Sequence, residues 1–197
     1  RLRYTSPHPR FVDPETVRAH AELPTLCEHV HLPVQSGSDA VLRRMGRPTT
    51  RDGILRSLEA LRAVRPGMTF GTDVIVGFPG ETDAQAEQTV TLVREAGFTQ
   101  VFAFTYSPRP GTAAERFADD VPAPVKAGRL RRVQEAADAL ADDRRRSLVG
   151  AVVEVLVEGP SDRGGGTVQG RTRNNDVVHV DGPDPADAAG SIVEVLV

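Results

Sequence analysis

The stretch Phe70-Gly71-Thr72-Asp73-Val74-Ile75-Val76-Gly77-Phe78-Pro79-Gly80-Glu81-Thr82 decides the fold. Its first part is rich in β-branched residues and closes on Pro79-Gly80, which predicts a strand over 70–78. Its end opens a helix. Thr82 and Gln85 match a capping box, Ala86, Val90 and Val93 share one face, and Gly97 supplies a left-handed stop. A strand running through a short glycine loop into an amphipathic helix is one βα unit.

The same alternation continues on both sides and predicts a parallel sheet. Upstream, Leu2 to Thr5 and Val30 to Val34 are candidate strands. Asp13 with Pro14 starts a helix reaching about Leu23, a short helical piece lies around Val41 to Met45, and Thr50 caps a helix carrying Ile54, Leu58 and Leu61. Downstream, Gln100 to Thr105 is a fourth strand, and a helix from Pro124 to about Ser147 turns Leu130, Val133, Ala137 and Leu140 inward. Beyond Val149 the helical period disappears. Short strands at 152–157, 167–169, 177–180 and 192–197 are separated by Gly164-Gly165-Gly166, Asn174-Asn175 and Asp181-Gly182, the pattern of a small antiparallel barrel. The expected boundary divides residues 1–146 from 147–197.

Composition agrees with a globular chain: 197 residues, 39% hydrophobic and 26% charged, with a net charge of −3. No run approaches the ~18 apolar residues of a membrane span, and Arg1-Leu2-Arg3-Tyr4 lacks the apolar core of a signal peptide. Cys27 is the one cysteine, too few for a disulfide framework or a thiolate cluster. Lys126 is the one lysine beside 23 arginines. The mean charge conceals an asymmetry: from Ser147 onward eight acidic residues face three arginines, whereas the preceding helix is basic at both ends.

Parallel βα units bind ligands at the carboxyl ends of their strands. Three such ends here carry polar or glycine-rich loops: Gln35-Ser36-Gly37-Ser38-Asp39, Gly77-Phe78-Pro79-Gly80-Glu81-Thr82 and Tyr106-Ser107-Pro108-Arg109-Pro110-Gly111-Thr112. Arg47 and Arg109, each beside proline, suit a carboxylate or phosphate. Asp73, a carboxylate inside an apolar strand, is either a ligand contact or one member of a buried ion pair. His8, His20 and His31 form no spaced metal set and are expected to be structural. There is no Ser-His-Asp signature, phosphate loop or dinucleotide fingerprint, which disfavours a nucleophilic enzyme.

Together these segments resemble the radical S-adenosylmethionine methylthiotransferases, most closely their tRNA-modifying branch. The resemblance rests on Arg3-Tyr4-Thr5-Ser6-Pro7-His8-Pro9, His31-Leu32-Pro33-Val34 running into Gln35 to Asp39, and Leu42, Met45 and Arg47. It rests further on Asp73 to Thr82, on Tyr106 to Thr112, and on Gly170-Arg171-Thr172-Arg173-Asn174-Asn175 with Val177-Val178, which looks like a TRAM domain. It implies an α/β fold: the C-terminal part of a (β/α)6 partial barrel, the radical S-adenosylmethionine core, followed by the small TRAM β-barrel. It also implies a cytoplasmic enzyme that adds a methylthio group to carbon 2 of an N6-modified adenosine beside the anticodon.

The implied cofactors are S-adenosylmethionine and two 4Fe–4S clusters, and the implied partners are tRNA and an electron donor. With Cys27 alone this chain cannot supply the cluster thiolates, so it is expected to be a part of a longer enzyme, inactive by itself and binding no cluster. The resemblance places Gln35, Ser36, Gly37, Arg47, Asp73 and Gly77 at S-adenosylmethionine, and Tyr106, Arg109, Arg144, Arg145, Arg163, Arg171 and Arg173 at RNA. The threonylcarbamoyladenosine branch, a catalytically inactive RNA-binding module and an unrelated small-molecule-binding barrel are the alternatives. An uncovered sheet edge makes self-association an expectation.

Overall fold

The computed structural model describes residues 1–5, 7–163, 166–181 and 188–197; Ser6, Gly164, Gly165 and Gly182, named above, lie outside them, as do Asp184 and Asp187, two of the eight acidic residues after Ser147. The chain orders as α1 (Pro14–Glu22), β1 (His29–His31), α2 (Asp39–Arg44), α3 (Arg51–Val64), β2 (Thr69–Val76), α4 (Asp83–Ala96), β3 (Phe98–Thr105) and α5 (Ala123–Leu148). Four strands follow: β4 (Val152–Pro160), β5 (Val168–Thr172), β6 (Val177–Val180) and β7 (Ile192–Leu196).

β1, β2 and β3 form a parallel sheet in that order. Along β2, Phe70, Val74 and Val76 face the helices and join Leu58, Leu61, Val90, Val93, Phe98 and Val133 in one core. Alternation sends Gly71, Asp73 and Ile75 to the other face, with Gln100, Phe102 and Phe104 beside them in register. This second face is the barrel interior. Phe102 and Phe104 are about half exposed on it, at 55% and 54%.

The helix starts follow their caps. The Asp13 side chain accepts from the Thr16 N–H, Thr50 from Gly53, and Thr82 with Gln85 completes the capping box. Gly97 ends α4 at φ +64°.

Two expected strands are shorter than their sequence patterns. Leu2 to Thr5 makes only isolated parallel bridges, Leu2 to Leu26 and Thr5 to His31. The 30–34 segment pairs only through His31, because Pro33 has no N–H to give the ladder. A hydroxyl replaces the missing bonds: Thr72 Oγ1 donates to Leu32 O at 2.8 Å and accepts from the Val34 N–H at 3.2 Å. Pairing resumes at Gln35, opposite Val74.

The last four strands form an antiparallel sheet ordered β6-β5-β4-β7, with Val157, Val168 and Ala188 at its core. α5 carries the chain into it, running over β3 and α4 before ending at Leu148.

Candidate functional site

A cavity of about 510 Å³ opens at the carboxyl ends of the parallel strands. Gln35, Arg47, Asp73, Tyr106 and Arg109, far apart in sequence, all line it. Ile75, Phe78, Phe104 and Met45 supply its apolar surface. The volume lies within the range of small-molecule sites.

Gln35 has φ +70°, unusual for a residue with a side chain. Backbone bonds hold it there: its N–H donates to Asp73 O at 2.8 Å, and the Ile75 N–H donates to Gln35 O at 2.8 Å. Strain fixed in this way marks a position where the direction of a side chain matters. Asp73 forms the floor, where its Oδ1 lies 3.1 Å from His31 Nε2. Asp73 faces the cavity, partly exposed, with the His31 imidazole as its neighbour. Tyr106 presents its ring edge-on to Phe78 at 5.1 Å, while its hydroxyl donates to Ala114 O and ties down the loop above the cavity. Among the described residues Arg47 and Arg109 make no ion pair. The cavity thus combines one carboxylate, two uncompensated guanidiniums and an apolar wall.

Ser36, Gly37 and Gly77 stand behind that surface. Ser36 is fully buried; its Oγ lies 3.3 Å from Thr89 Oγ1 and accepts from the Ser38 N–H. The Gly37 N–H donates to Thr89 Oγ1 at 2.9 Å, and a Cβ on Gly37 would sit 2.2 Å from Gln88 O. These two residues press the loop onto α4. Gly77, at φ +72°, donates its N–H to Glu81 Oε2 at 2.6 Å, and a Cβ there would meet Lys126 at 2.4 Å. Glu81 in turn accepts from Arg129 Nη1 at 3.0 Å. Burial is the largest influence on Glu81 and holds its carboxyl above the usual range, despite the Gly77 N–H and Arg129.

The RNA candidates divide between two places. Tyr106 and Arg109 belong to the strand-end cavity. Arg144, Arg145, Arg163 and Arg171 line a second cleft of about 620 Å³, between the start of β3, the end of α5 and the antiparallel sheet. Most are already paired there: Arg144 with Asp176 at 2.7 Å, Arg145 with Asp142, and Arg171 with Glu158 at 3.2 Å. Arg163 has no ion pair among the described residues. Arg173 lies outside this cleft and binds Glu28 on the barrel.

His31 was not expected at the site. The signal is its register against Gly71, which brings it beside Asp73, and cross-strand register is not written in one segment of sequence.

Residues 1–93 match the radical SAM superfamily and residues 146–197 the TRAM domain. A solved radical SAM enzyme, coproporphyrinogen III oxidase from Escherichia coli, superposes with a TM-score of 0.53 at 23% identity, over 68% of this chain and 31% of that one. The fold and site therefore define a chain of the radical S-adenosylmethionine class, with a TRAM domain at its end. The tRNA-2-methylthio-N(6)-dimethylallyladenosine synthase of Sorangium cellulosum is 50% identical over 100% of this chain and 41% of its own length. The proteins of that name from Geobacter sulfurreducens and Geobacillus kaustophilus are 48% and 42% identical over 91% and 100% of this chain, and 40% and 37% of their own lengths. The chain belongs to the radical S-adenosylmethionine methylthiotransferase family, and it spans about two fifths of the length of these curated relatives.

That family uses S-adenosylmethionine and 4Fe–4S clusters, and the two fit this chain differently. The cavity suits the first: guanidiniums for its carboxylate, a carboxylate for hydroxyls or its ammonium group, and an apolar wall for its adenine. The clusters do not fit. Cys27 is buried, and no group of three His, Cys, Asp or Glu among the described residues could hold a metal.

Proposed function

We propose that this chain is the cofactor-binding and RNA-binding part of a tRNA methylthiotransferase. The whole enzyme adds a methylthio group to carbon 2 of an N6-modified adenosine next to the anticodon, with cluster ligands carried elsewhere in the enzyme. The convergence of Gln35, Arg47, Asp73, Tyr106 and Arg109 on one cavity carries this reading.

S-adenosylmethionine, when bound, supplies the radical and the methyl group. In that state Arg47 holds its carboxylate, Asp73 receives ribose hydroxyls, and Gln35 orients its polar end. His31 keeps Asp73 in place, while Ser36, Gly37 and Gly77 support the loops from behind. Tyr106 and Arg109 form the rim where the substrate base enters. Arg144, Arg145, Arg163 and Arg171 follow the RNA backbone, with Arg163 the most available for phosphate.

Residues 1–146 form the partial barrel and 147–197 the TRAM domain. The enzyme works in the cytoplasm, takes electrons from a separate donor, and leaves the outer edge of β3 open to self-association of this chain. The test is nucleoside mass spectrometry of tRNA from cells lacking the full-length gene and from cells re-expressing it. The 2-methylthio nucleoside should vanish in the first and return in the second. Its persistence in the deletion strain excludes this function.

A further inference from the structure

Thr172-Arg173-Asn174-Asn175-Asp176, at the end of β5 and the turn after it, bonds extensively to the barrel's lower rim and to α5. Arg173 donates to Glu28 Oε2 at 2.6 Å and to the carbonyls of Pro24 and Leu26. Asn174 Nδ2 donates to Glu28 O at 3.0 Å and Gly67 O at 2.9 Å, and Asn174 O accepts from Thr69 Oγ1 at 2.7 Å. Asn175 exchanges two bonds with the Gln100 side chain, at 2.7 and 2.8 Å. Asp176 receives Arg144, and Thr172 O accepts from Arg3 at 2.8 Å.

One turn therefore touches the N-terminal ends of all three parallel strands, the preceding segment and the last helix. Asn175 holds φ +68° to do so. Arg173 is the centre of the contact. Its hydrogen bonds to Glu28 raise its pKa; burial pushes the Glu28 carboxyl up, but Arg173, a backbone hydrogen bond and Arg65 together hold it below the usual range. The Arg173 bonds engage Nε and Nη2 of the guanidinium, and Glu28 balances its charge at close range.

We propose that this turn is a docking key that fixes the reach of the enzyme, by locking the TRAM sheet to the strand end opposite the cofactor cavity. This builds on the function proposed above. β2 runs from Thr69, which the key touches, to Val76, beside the cavity, a span of about 23 Å at ~3.3 Å per residue. RNA held in the interdomain cleft at the start of β3 must cross that distance along β3 to present its base. Arg173, Asn174 and Asn175 are positioning residues and not RNA ligands. Arg144, Arg145, Arg163 and Arg171, outside the key's core, remain the phosphate contacts.

The test uses the full-length enzyme with spin labels on the barrel and on the TRAM sheet, and compares wild type with Arg173→Ala and Glu28→Gln. Both substitutions should broaden the interdomain distance distribution. Both should lower the single-turnover rate about tenfold, while the tRNA Kd and its salt slope stay within about twofold. Glu28→Gln removes no cation; because it also releases Arg65 from the same carboxylate, Arg65→Gln is run beside it as the control. If Arg173 were a phosphate ligand, Glu28→Gln would free it and tighten tRNA binding, whereas Arg173→Ala would weaken binding and flatten the salt slope. That pair of results, or an unchanged distance distribution in both variants, overturns the proposal. The distance readout needs no turnover, so it stands apart from failure of the methylthiotransferase reading.

Discussion

Replacing Arg129 should unfold the loop that supports the cofactor cavity. Its guanidinium bridges Glu81 and Asp83, but the two arms differ in depth: side-chain exposure is 6% for Arg129, 0% for Glu81 and 80% for Asp83. The Asp83 arm is a surface pair of little worth. The Glu81 arm is buried, and removing one partner from such a pair costs about 3–5 kcal/mol, because the other charge is stranded. Without Arg129, Glu81 keeps only the Gly77 N–H on Oε2, since its Oε1 has no hydrogen-bond partner among the described residues.

Arg129→Met keeps most of the stem packing and isolates this effect. For a chain of this size, about 3–5 kcal/mol corresponds to a fall in Tm of roughly 6–20 °C. The deficit should depend on pH with a definite sign. Burial already raises the folded pKa of Glu81, and losing Arg129 raises it further. The protonated form then favours the folded state, so Arg129→Met should regain stability as pH falls through the raised pKa toward the unfolded value, and lose it as pH rises back through the raised pKa. Urea denaturation at about pH 8 and about pH 5.5 measures both terms. Glu81→Gln in the same chain should recover most of the loss. A cost below about 1 kcal/mol with no pH dependence would mean that the pair is worth no more than a surface one, and would refute the reasoning.

Three further outcomes follow from the same geometry. His29 is buried against Thr69 with its pKa lowered to about 4, so the unfolded chain takes up a proton that the folded one refuses. Between about pH 6.5 and 4, falling pH should remove up to about 3 kcal/mol of stability, and urea titrations of His29→Gln should show that component missing. Thr72→Val strands the Leu32 carbonyl and the Val34 N–H at the Pro33 gap, and should cost about 1–3 kcal/mol by the same denaturation assay. Gly37→Ala places a Cβ 2.2 Å from Gln88 O on α4, so it should lower Tm and weaken S-adenosylmethionine binding together; a normal Tm would show that the loop is not pressed onto the helix.

The helices were legible in the sequence because their signals are local. The Thr82–Gln85 capping box, the Asp13 and Thr50 caps and the Gly97 stop all lie within four residues of the ends they set. The strands were less so. Pro33 breaks a ladder that the apolar run 30–34 implied, and the Thr72 hydroxyl that repairs it comes from another strand. Residue type and loop position mark Gln35, Arg47, Asp73, Tyr106 and Arg109 as candidates, and all of them line one cavity. The buried roles of Ser36, Gly37 and Gly77 depend on packing against α4 and α5, which no single segment records. Arg173 shows the same limit. Its ion pair with Glu28, 145 residues away, is not written in the turn that carries it.

Calorimetric titration of S-adenosylmethionine into the full-length enzyme, with its clusters reconstituted, tests the central claim most directly. Arg47→Ala and Asp73→Asn should each weaken binding by about tenfold, roughly 1.4 kcal/mol, with Tm close to wild type. Wild-type affinity in both variants would contradict the assignment of this cavity to the cofactor.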